Sequence, residues 1–398
     1  MPHRAPKRVL IFSLAYRPFI GGVEVAIQEI TNRIPFEEIE FHVLTLRMDS
    51  RLPREERLGN VVVHRIGFAR SGAPITDLTR FPLRLNLYLY QLWAAFAAAQ
   101  LHAKYKFDLV WAMMAHTAGI PAGIFKRFHP SVPYLLTLQE GDPPEYIEKL
   151  MRPVFSLFKQ GFTQANELQA ISGFLLAWGK RMGFRGTGVL IPNGVDTKRF
   201  ARTHARTADG TTRLITVSRL VRKNAVDDII RALALLPDSV SLSIAGIGSD
   251  EKMLRALVEE QGLTSRVTFL GNVSQEALPE LLSSHDIFVR PSRSEGMGIS
   301  FIEAMAAGLP VIATQEGGIA DFLFDGKRNP ELPTTGFAVD TDAPDQIADA
   351  VMRVLAHPEE TEKVVETARK LVTEKYDWTL VAGQMKTLFD QMLSGTVK

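Results

Sequence analysis

The feature that most constrains this chain is an alternation that runs twice. In the first half, RVLIFSL, FHVLTL, VVVHRIGF, DLVWAMM and PYLLTLQ are short apolar, β-branched runs that read as strands. Between and after them, GGVEVAIQEITNRI, LNLYLYQLWAAFAAAQLHAKY and LQAISGFLLAWGKRMG carry helical spacing. Parallel strands covered on both faces are written as continuous apolar runs rather than strict alternation. Ile191-Pro192-Asn193-Gly194 is a turn cluster, and the polar, aperiodic ARTHARTADGTTR follows it. A second series then begins: TRLITVSRL, SLSIAGIG, RVTFLGN, DIFVRPS and LPVIAT as strands, with AVDDIIRALALL, DEKMLRALVEEQG and SQEALPELLSS as helices. The pattern predicts two Rossmann-like, doubly wound α/β domains, 1–190 and 191–378, with mainly parallel sheets. An amphipathic helix over 379–398 ends the chain. Ligands of such sheets gather outside the carboxyl ends of the strands, so a cleft between two facing sheet edges is the expected site.

Composition narrows the function classes. The chain has no cysteine, which removes disulfides and thiolate metal sites and fits a reducing, cytoplasmic compartment. The net charge of +2 hides an asymmetry: residues 1–190 hold 23 Lys and Arg against 15 Asp and Glu, the remainder 23 against 29. A basic first half facing an acidic second half points to an anionic partner or a membrane surface for the first, or to solvated charge alone. VLIFSLAY, followed by Arg17-Pro18, reads as a strand rather than a secretory signal. The apolar run Leu87 to Leu101 falls short of the roughly 20 residues that span a bilayer. A soluble chain with peripheral membrane contact through its basic half is expected, and no nucleic-acid partner.

The chemistry concentrates in PSRSEGMGISFIEAMAAGLPVIA, residues 291–313. HDIFVRPS reads as a strand and FIEAMAAG as a helix closed by Gly308, so the glycine-rich loop between them is a strand-to-helix turn. Free amides and the helix dipole there favour phosphate. Glu303, placed in the helix's first turn, can accept two hydrogen bonds from a ribose diol, and Glu295 on the loop can face the reactive part of a ligand. The same residues also fit a helix start whose acids complement the dipole. In TVSRLVRKNAVDDII, Arg219 and Lys223 again stand between a strand and a helix, where cations are unfavourable unless they meet an anion. A guanidinium and an ammonium together suit a departing diphosphate. Gly21-Gly22, after the first strand, and Gly246 with Gly248 can line a nucleotide pocket or merely make tight turns.

Taken together, Glu295-x7-Glu303, Arg219 with Lys223 in S-R-L-V-x-K-N, I-P-N-G-V-D at Ile191 to Asp196 and the Gly-Gly loop resemble the family-4 glycosyltransferases. The resemblance spans nearly the whole chain. It implies the GT-B architecture and transfer of a hexose-type sugar from a UDP- or GDP-sugar to an acceptor hydroxyl, with retention, in glycan, glycolipid or polysaccharide biosynthesis. It implies that Glu303 binds the donor ribose and Glu295 the sugar hydroxyls. The amides of Gly296, Met297, Gly298 and Ile299 would meet sugar and phosphates. Arg219 and Lys223 would hold the diphosphate with Gly21 and Gly22 nearby, and Asn272 and Val273 after Gly271 would edge the base. The last helix would cross back onto the first domain. No cofactor or metal is expected, because the cationic pair serves in its place; Asp340-x-Asp342 reads as a helix cap rather than a metal site.

One departure matters. Where many members carry a histidine in T-x-H-G, this chain has Thr137-Leu138-Gln139-Glu140-Gly141. Gln139 can bond a sugar hydroxyl but cannot carry a proton, which leaves Glu140, Asp142 or His116 as candidates to take part. KRNPELPTTG is longer than the turn usual in the family and reads as a surface loop. The acceptor, lipid-linked or anionic, is compatible with Tyr146 to Phe162 as a surface stretch, although a core-facing helix broken at Pro153 fits that stretch better. A nucleotide-sugar epimerase of the same fold and a donor-binding protein without catalysis are the competing readings.

Overall fold

The computed structural model describes residues 5–74, 77–78, 80–201 and 210–395. Most of the polar segment 201–213 lies outside them. The chain divides into two units, residues 1–192 with 379–398, and residues 193–378.

The first unit is built on strands β1 (Lys7–Phe12), β2 (Ile39–Leu46), β3 (Glu55–Leu58), β4 (Val61–Ile66), β5 (Leu109–Met113), β6 (Tyr134–Leu138), β7 (Glu167–Ala170) and β8 (Val189–Leu190). Their order is β3-β4-β2-β1-β5-β6-β7-β8. All pairs are parallel except β3 with β4. Helices α1 (Gly22–Thr31), α2 (Arg84–Tyr105), α3 (Ile120–Phe128), α4 (Pro144–Leu150), α5 (Phe155–Thr163) and α6 (Gly173–Arg181) connect them. Strand β3 has the sequence EERL, with no apolar run to announce it. It is an exposed edge whose charges keep it from templating further strands. A buried polar rung crosses the middle of the sheet: Trp111 Nε1 donates to Thr137 Oγ1 and Thr137 to Gln169 Oε1, both at 2.7 Å.

The second unit holds β9 (Thr212–Val217), α7 (Val226–Leu233), β10 (Val240–Ala245), α8 (Glu251–Glu260), β11 (Val267–Gly271), α9 (Leu278–Ser283), β12 (Ile287–Arg290), α10 (Ile299–Ala306), β13 (Val311–Ala313), β14 (Phe337–Ala338), α11 (Pro344–Ala356) and α12 (Pro358–Lys375). Its sheet order is β11-β10-β9-β12-β13-β14, parallel throughout. Leu214, Ile230, Leu233, Ile244, Val289 and Val351 share one core between strands and helices. The final helix α13 (Trp378–Leu393) is part of the first unit almost entirely. Its Phe389 ring packs 5.1 Å from Trp111 and 5.9 Å from Phe41.

Two buried histidines give the first unit a pH response. His42 of β2 and His64 of β4 stack with nitrogens 2.9 Å apart, Glu55 lying 3.3 Å from His64 and Glu40 3.8 Å from His42. Burial holds both imidazoles below their ordinary range, and for His42 the neighbouring His64 adds to it. A folded-state pKa below the unfolded value means that the unfolded chain binds the protons. Stability is therefore full above about pH 6.5 and falls as pH drops below it. Urea midpoints from pH 8 to 4 are expected to decline through that window, and His42→Gln to flatten the decline; an unchanged slope in the variant would assign it elsewhere.

Candidate functional site

In the second unit, the loop residues assigned to the donor by sequence lie at the carboxyl ends of adjacent parallel strands: Arg219 and Lys223 after β9, Gly246 after β10, Asn272 and Val273 after β11, and Glu295 to Ile299 after β12. Strand order reverses between β9 and β12, so the Arg219–Lys223 loop and the Glu295 loop flank the switch point, where ligands of open α/β sheets bind.

The turn after β9 is fixed by backbone contacts. Gly246 takes φ +141°, and a Cβ there would fall 1.8 Å from the Ser218 carbonyl oxygen. No other residue allows the β10 turn to close on the Arg219 loop. Asn224, buried, donates to the Arg219 carbonyl at 2.6 Å. The arginine side chain itself is exposed and Lys223 half-buried. Arg293 ties this turn to the next strand's loop. Its amide donates to the Lys223 carbonyl at 2.7 Å, and its guanidinium to the Arg222 carbonyl, Asp227 and Asp228 at 2.7, 3.0 and 2.8 Å. Asn272 is exposed and Val273 half-buried beside them.

The loop after β12 enters helix α10 through Gly298, at φ +82°, where a Cβ would meet the Phe301 ring at 2.5 Å. Gly296 and Met297 are buried, Gly298 and Ile299 half-buried. The helix begins at Ile299, two residues before the expected start, and this corrects the placement of Glu303. It stands in the second turn, not the first, and no acidic residue occupies the first turn. A carboxylate one turn in is poorly placed to complement the dipole. Glu303 is instead 5% exposed, and no hydrogen bond from the described residues reaches its carboxyl. Burial pushes its pKa up to about 7, against the pull of Arg199 and Arg290. Such a group gains from any ligand that donates to it.

Glu295, 6% exposed, is held differently. Its Oε2 accepts from Arg290 Nη2 and its Oε1 from the Gly296 amide at 3.2 Å, while its carbonyl accepts from Gly318 at 2.9 Å. Arg290 is the residue that sequence reasoning missed. It ends β12 and is 7% exposed. It reaches Ser300 at 2.8 Å and Asn224 at 3.1 Å, and lies 4.9 Å from the centre of the Phe301 ring. One buried cation thus joins the β9 turn, Glu295 and the start of α10. An arginine closing a strand looks like a solvated side chain in sequence, so only the fold discloses it.

In the first unit, Gly21 precedes and Gly22 opens α1, both exposed. The Glu24 carboxylate, at the third helical position, folds back over Gly21, accepting from its amide, and burial raises its pKa to about 7. That is the acidic half of a capping box. Gln139 follows β6 and is 9% exposed. Glu140 is 1% exposed and accepts from the Ala115 amide at 2.5 Å. Its Oε1 also lies 3.6 Å from His116 Nδ1. His116 belongs to a π-helical turn, Ala115–Gly119, entered through Met114 at φ +71°; wide turns and positive φ on a bulky residue concentrate at functional sites. The structure therefore brings Glu140 and His116 together beside Gln139, a pairing that separation in sequence hides. The Asp340-x-Asp342 expectation is corrected. The cap position of α11 is Ala343, with no side-chain cap; Asp340 exchanges hydrogen bonds with Gln346, and Asp342 pairs with Arg293 at 2.6 Å. Among the described residues no three His, Asp or Glu side chains group as a metal ion requires.

The chain is similar to known proteins over both units. Residues 20–199 fit the model of Glycosyltransferase Family 4 and residues 197–371 that of Glycosyl transferases group 1. In each unit the chain is thus similar to glycosyltransferases of the family-4 type. A GDP-mannose-dependent alpha-(1-6)-phosphatidylinositol monomannoside mannosyltransferase of Mycobacterium tuberculosis is 32% identical over 49% of this chain. The match spans about half, 54%, of that relative's length. The Corynebacterium glutamicum GDP-mannose-dependent monoacylated alpha-(1-6)-phosphatidylinositol monomannoside mannosyltransferase is 28% identical over 96% of this chain and 98% of its own. Among solved structures, sucrose-phosphate synthase from Thermosynechococcus elongatus superposes with a TM-score of 0.79 at 21% identity, covering 98% of this chain and all of that one. An Anabaena protein in complex with UDP and glucose does so at 0.73 and 19%, over 97% and 100%. The fold of the chain is GT-B: two mainly parallel Rossmann-like α/β domains.

Proposed function

We propose that the chain moves a hexose from a nucleoside-diphosphate sugar to an acceptor hydroxyl with retention of anomeric configuration and without a metal. The observation that carries this reading is Glu303, a carboxylate buried in the helix that follows the strand-end loops and to which no described residue donates a hydrogen bond, in the unit whose strand ends also present Arg219 and Lys223. A ribose diol is the donor pair that a buried carboxylate with free acceptor capacity suits, and a diphosphate is the anion that cations at the strand ends suit. Glu295 and Glu303, as an E-x7-E pair, hold the sugar and ribose ends. In the reaction, the acceptor oxygen bonds to the anomeric carbon on the face from which the diphosphate leaves. The carbon–phosphate-oxygen bond breaks and the acceptor proton passes to the departing phosphate. Arg219, Lys223 and the amides that open α10 stabilise the charge that grows there. The family members named for GDP-mannose and the structural relatives solved with UDP support a nucleotide-sugar donor of this kind.

The test is a thermal-shift panel of UDP- and GDP-hexoses in the presence of EDTA. At about 100 times its Kd the true donor adds about 2.7 kcal/mol to the folded state, a rise of several °C. No shift with any nucleotide sugar would sink the donor reading. The same donor incubated alone separates transfer from isomerisation, since an epimerised product without acceptor would mark an epimerase.

A further inference from the structure

The long helix α2 is apolar on both sides, and only one side is used by the fold. Its inner face carries Asn86, Tyr90, Ala94, Ala95 and Ala98, all buried. Tyr90 Oη donates to the carbonyl oxygen of Ser13, or alternatively to that of Leu44, at 3.1 and 3.2 Å. Its outer face carries Leu85, Tyr88, Leu92 and Phe96, exposed by 37%, 63%, 62% and 67%. Phe81, in the turn just before the helix, is 80% exposed. Leu85, Tyr88, Leu92 and Phe96 step by three, four and four residues, the period of one face of an α-helix. Four large apolar side chains therefore form one stripe along the helix, with Phe81 exposed in the turn before it, where a surface helix should present polar residues. The helix is long enough to be mistaken for a membrane span, but its inner face is committed to the sheet, and no helix of the described residues is long and apolar enough to cross a bilayer.

Charge selects the occupant. From residue 78 to residue 107 the sequence contains no Asp or Glu, while Arg80, Arg84, Lys104 and Lys106 stand toward the two ends. Arg84 is exposed and lies over the stripe itself, its Nη2 3.2 Å from the Tyr88 hydroxyl. Arg80 is tied to Asp77 at 3.2 Å, and Lys104 sits 4.5 Å from the Tyr105 ring. An apolar stripe flanked by exposed cations and free of carboxylates fits a surface of acyl chains under anionic headgroups. We infer that the outer face of α2 docks the first unit on an anionic lipid bilayer, with the helix axis in the plane of the interface. Phe81, Leu92 and Phe96 enter the acyl boundary, while Arg84 meets lipid phosphate. The inference concerns the first unit's surface alone, so its failure would leave the donor-site results of the second unit standing.

The experiment is co-sedimentation of the full chain with vesicles of phosphatidylcholine alone, and of phosphatidylcholine with about 30% phosphatidylglycerol, at about 0.1 M salt. Binding is expected to the anionic vesicles only and to weaken as salt rises. Leu92→Ser with Phe96→Ser, both on the exposed face, is expected to lose at least about tenfold in partitioning, each buried methylene counting for about 0.8 kcal/mol, with an unchanged melting temperature. Arg84→Glu is expected to weaken binding to the anionic vesicles. Wild-type chain that ignores anionic vesicles, or a serine variant that binds them undiminished, overturns the inference. So does sedimentation velocity in which the wild type self-associates without lipid and the serine variant is monomeric, because the stripe would then be a contact between copies.

Discussion

Arg290→Met is expected to destabilise the second unit by about 3–5 kcal/mol, the usual result of removing one partner of a buried ion pair. The guanidinium bonds Glu295, Asn224 and Ser300. Its loss leaves the Glu295 carboxylate in a space from which water is excluded, so the carboxyl must take up a proton or the loop must open. Urea unfolding of Arg290→Met and of Arg290→Met with Glu295→Leu tests the cause. The double variant should recover most of the stability, because two matched apolar side chains carry no unpaired charge. A cost below about 1 kcal/mol in the single variant would show that solvent, not Glu295, satisfies the guanidinium.

Glu303→Ala and Lys223→Ala are each expected to lower turnover by at least about 100-fold, the scale on which single preorganised electrostatic partners act. The two should differ in kind. In the proposed reaction Lys223 would meet charge that grows as the diphosphate leaves, so its loss should fall on kcat. Glu303 would meet the ribose of bound donor, so its loss should fall first on donor affinity. The raised pKa of Glu303 gives a second signature. Only the ionised carboxyl accepts from both hydroxyls of a diol, so donor affinity should rise with pH through about 7 in the wild type and stay flat in Glu303→Ala. Near-normal rates in either variant, or the same pH profile in both proteins, would remove these residues from the site.

The class of fold was legible because it is written in composition along the chain. Strands such as β1, β5 and β6, buried on both faces, are uninterrupted apolar runs, and the helices between them follow the 3.6-residue period. The single antiparallel strand β3 was not legible, since EERL is an edge whose identity comes from pairing with β4 alone. The start of α10 was misplaced by two residues for a local reason. Gly298 at positive φ opens the helix inside the glycine loop, and this alone moves Glu303 from the first turn to a buried position in the second.

The sequence by itself determined which residues stand after each strand. In a parallel sheet every strand's carboxyl end lies on one edge, so strand assignment alone gathers Arg219, Lys223, Asn272 and Glu295 there. Only the tertiary structure decided what surrounds each charge. Burial around Arg290, Glu295 and Glu303, and the meeting of Glu140 with His116, depend on contacts between segments far apart in the chain. The same holds for α2, whose apolar residues on both sides look like those of any core helix until the sheet claims one face and leaves Leu85, Tyr88, Leu92 and Phe96 on the other.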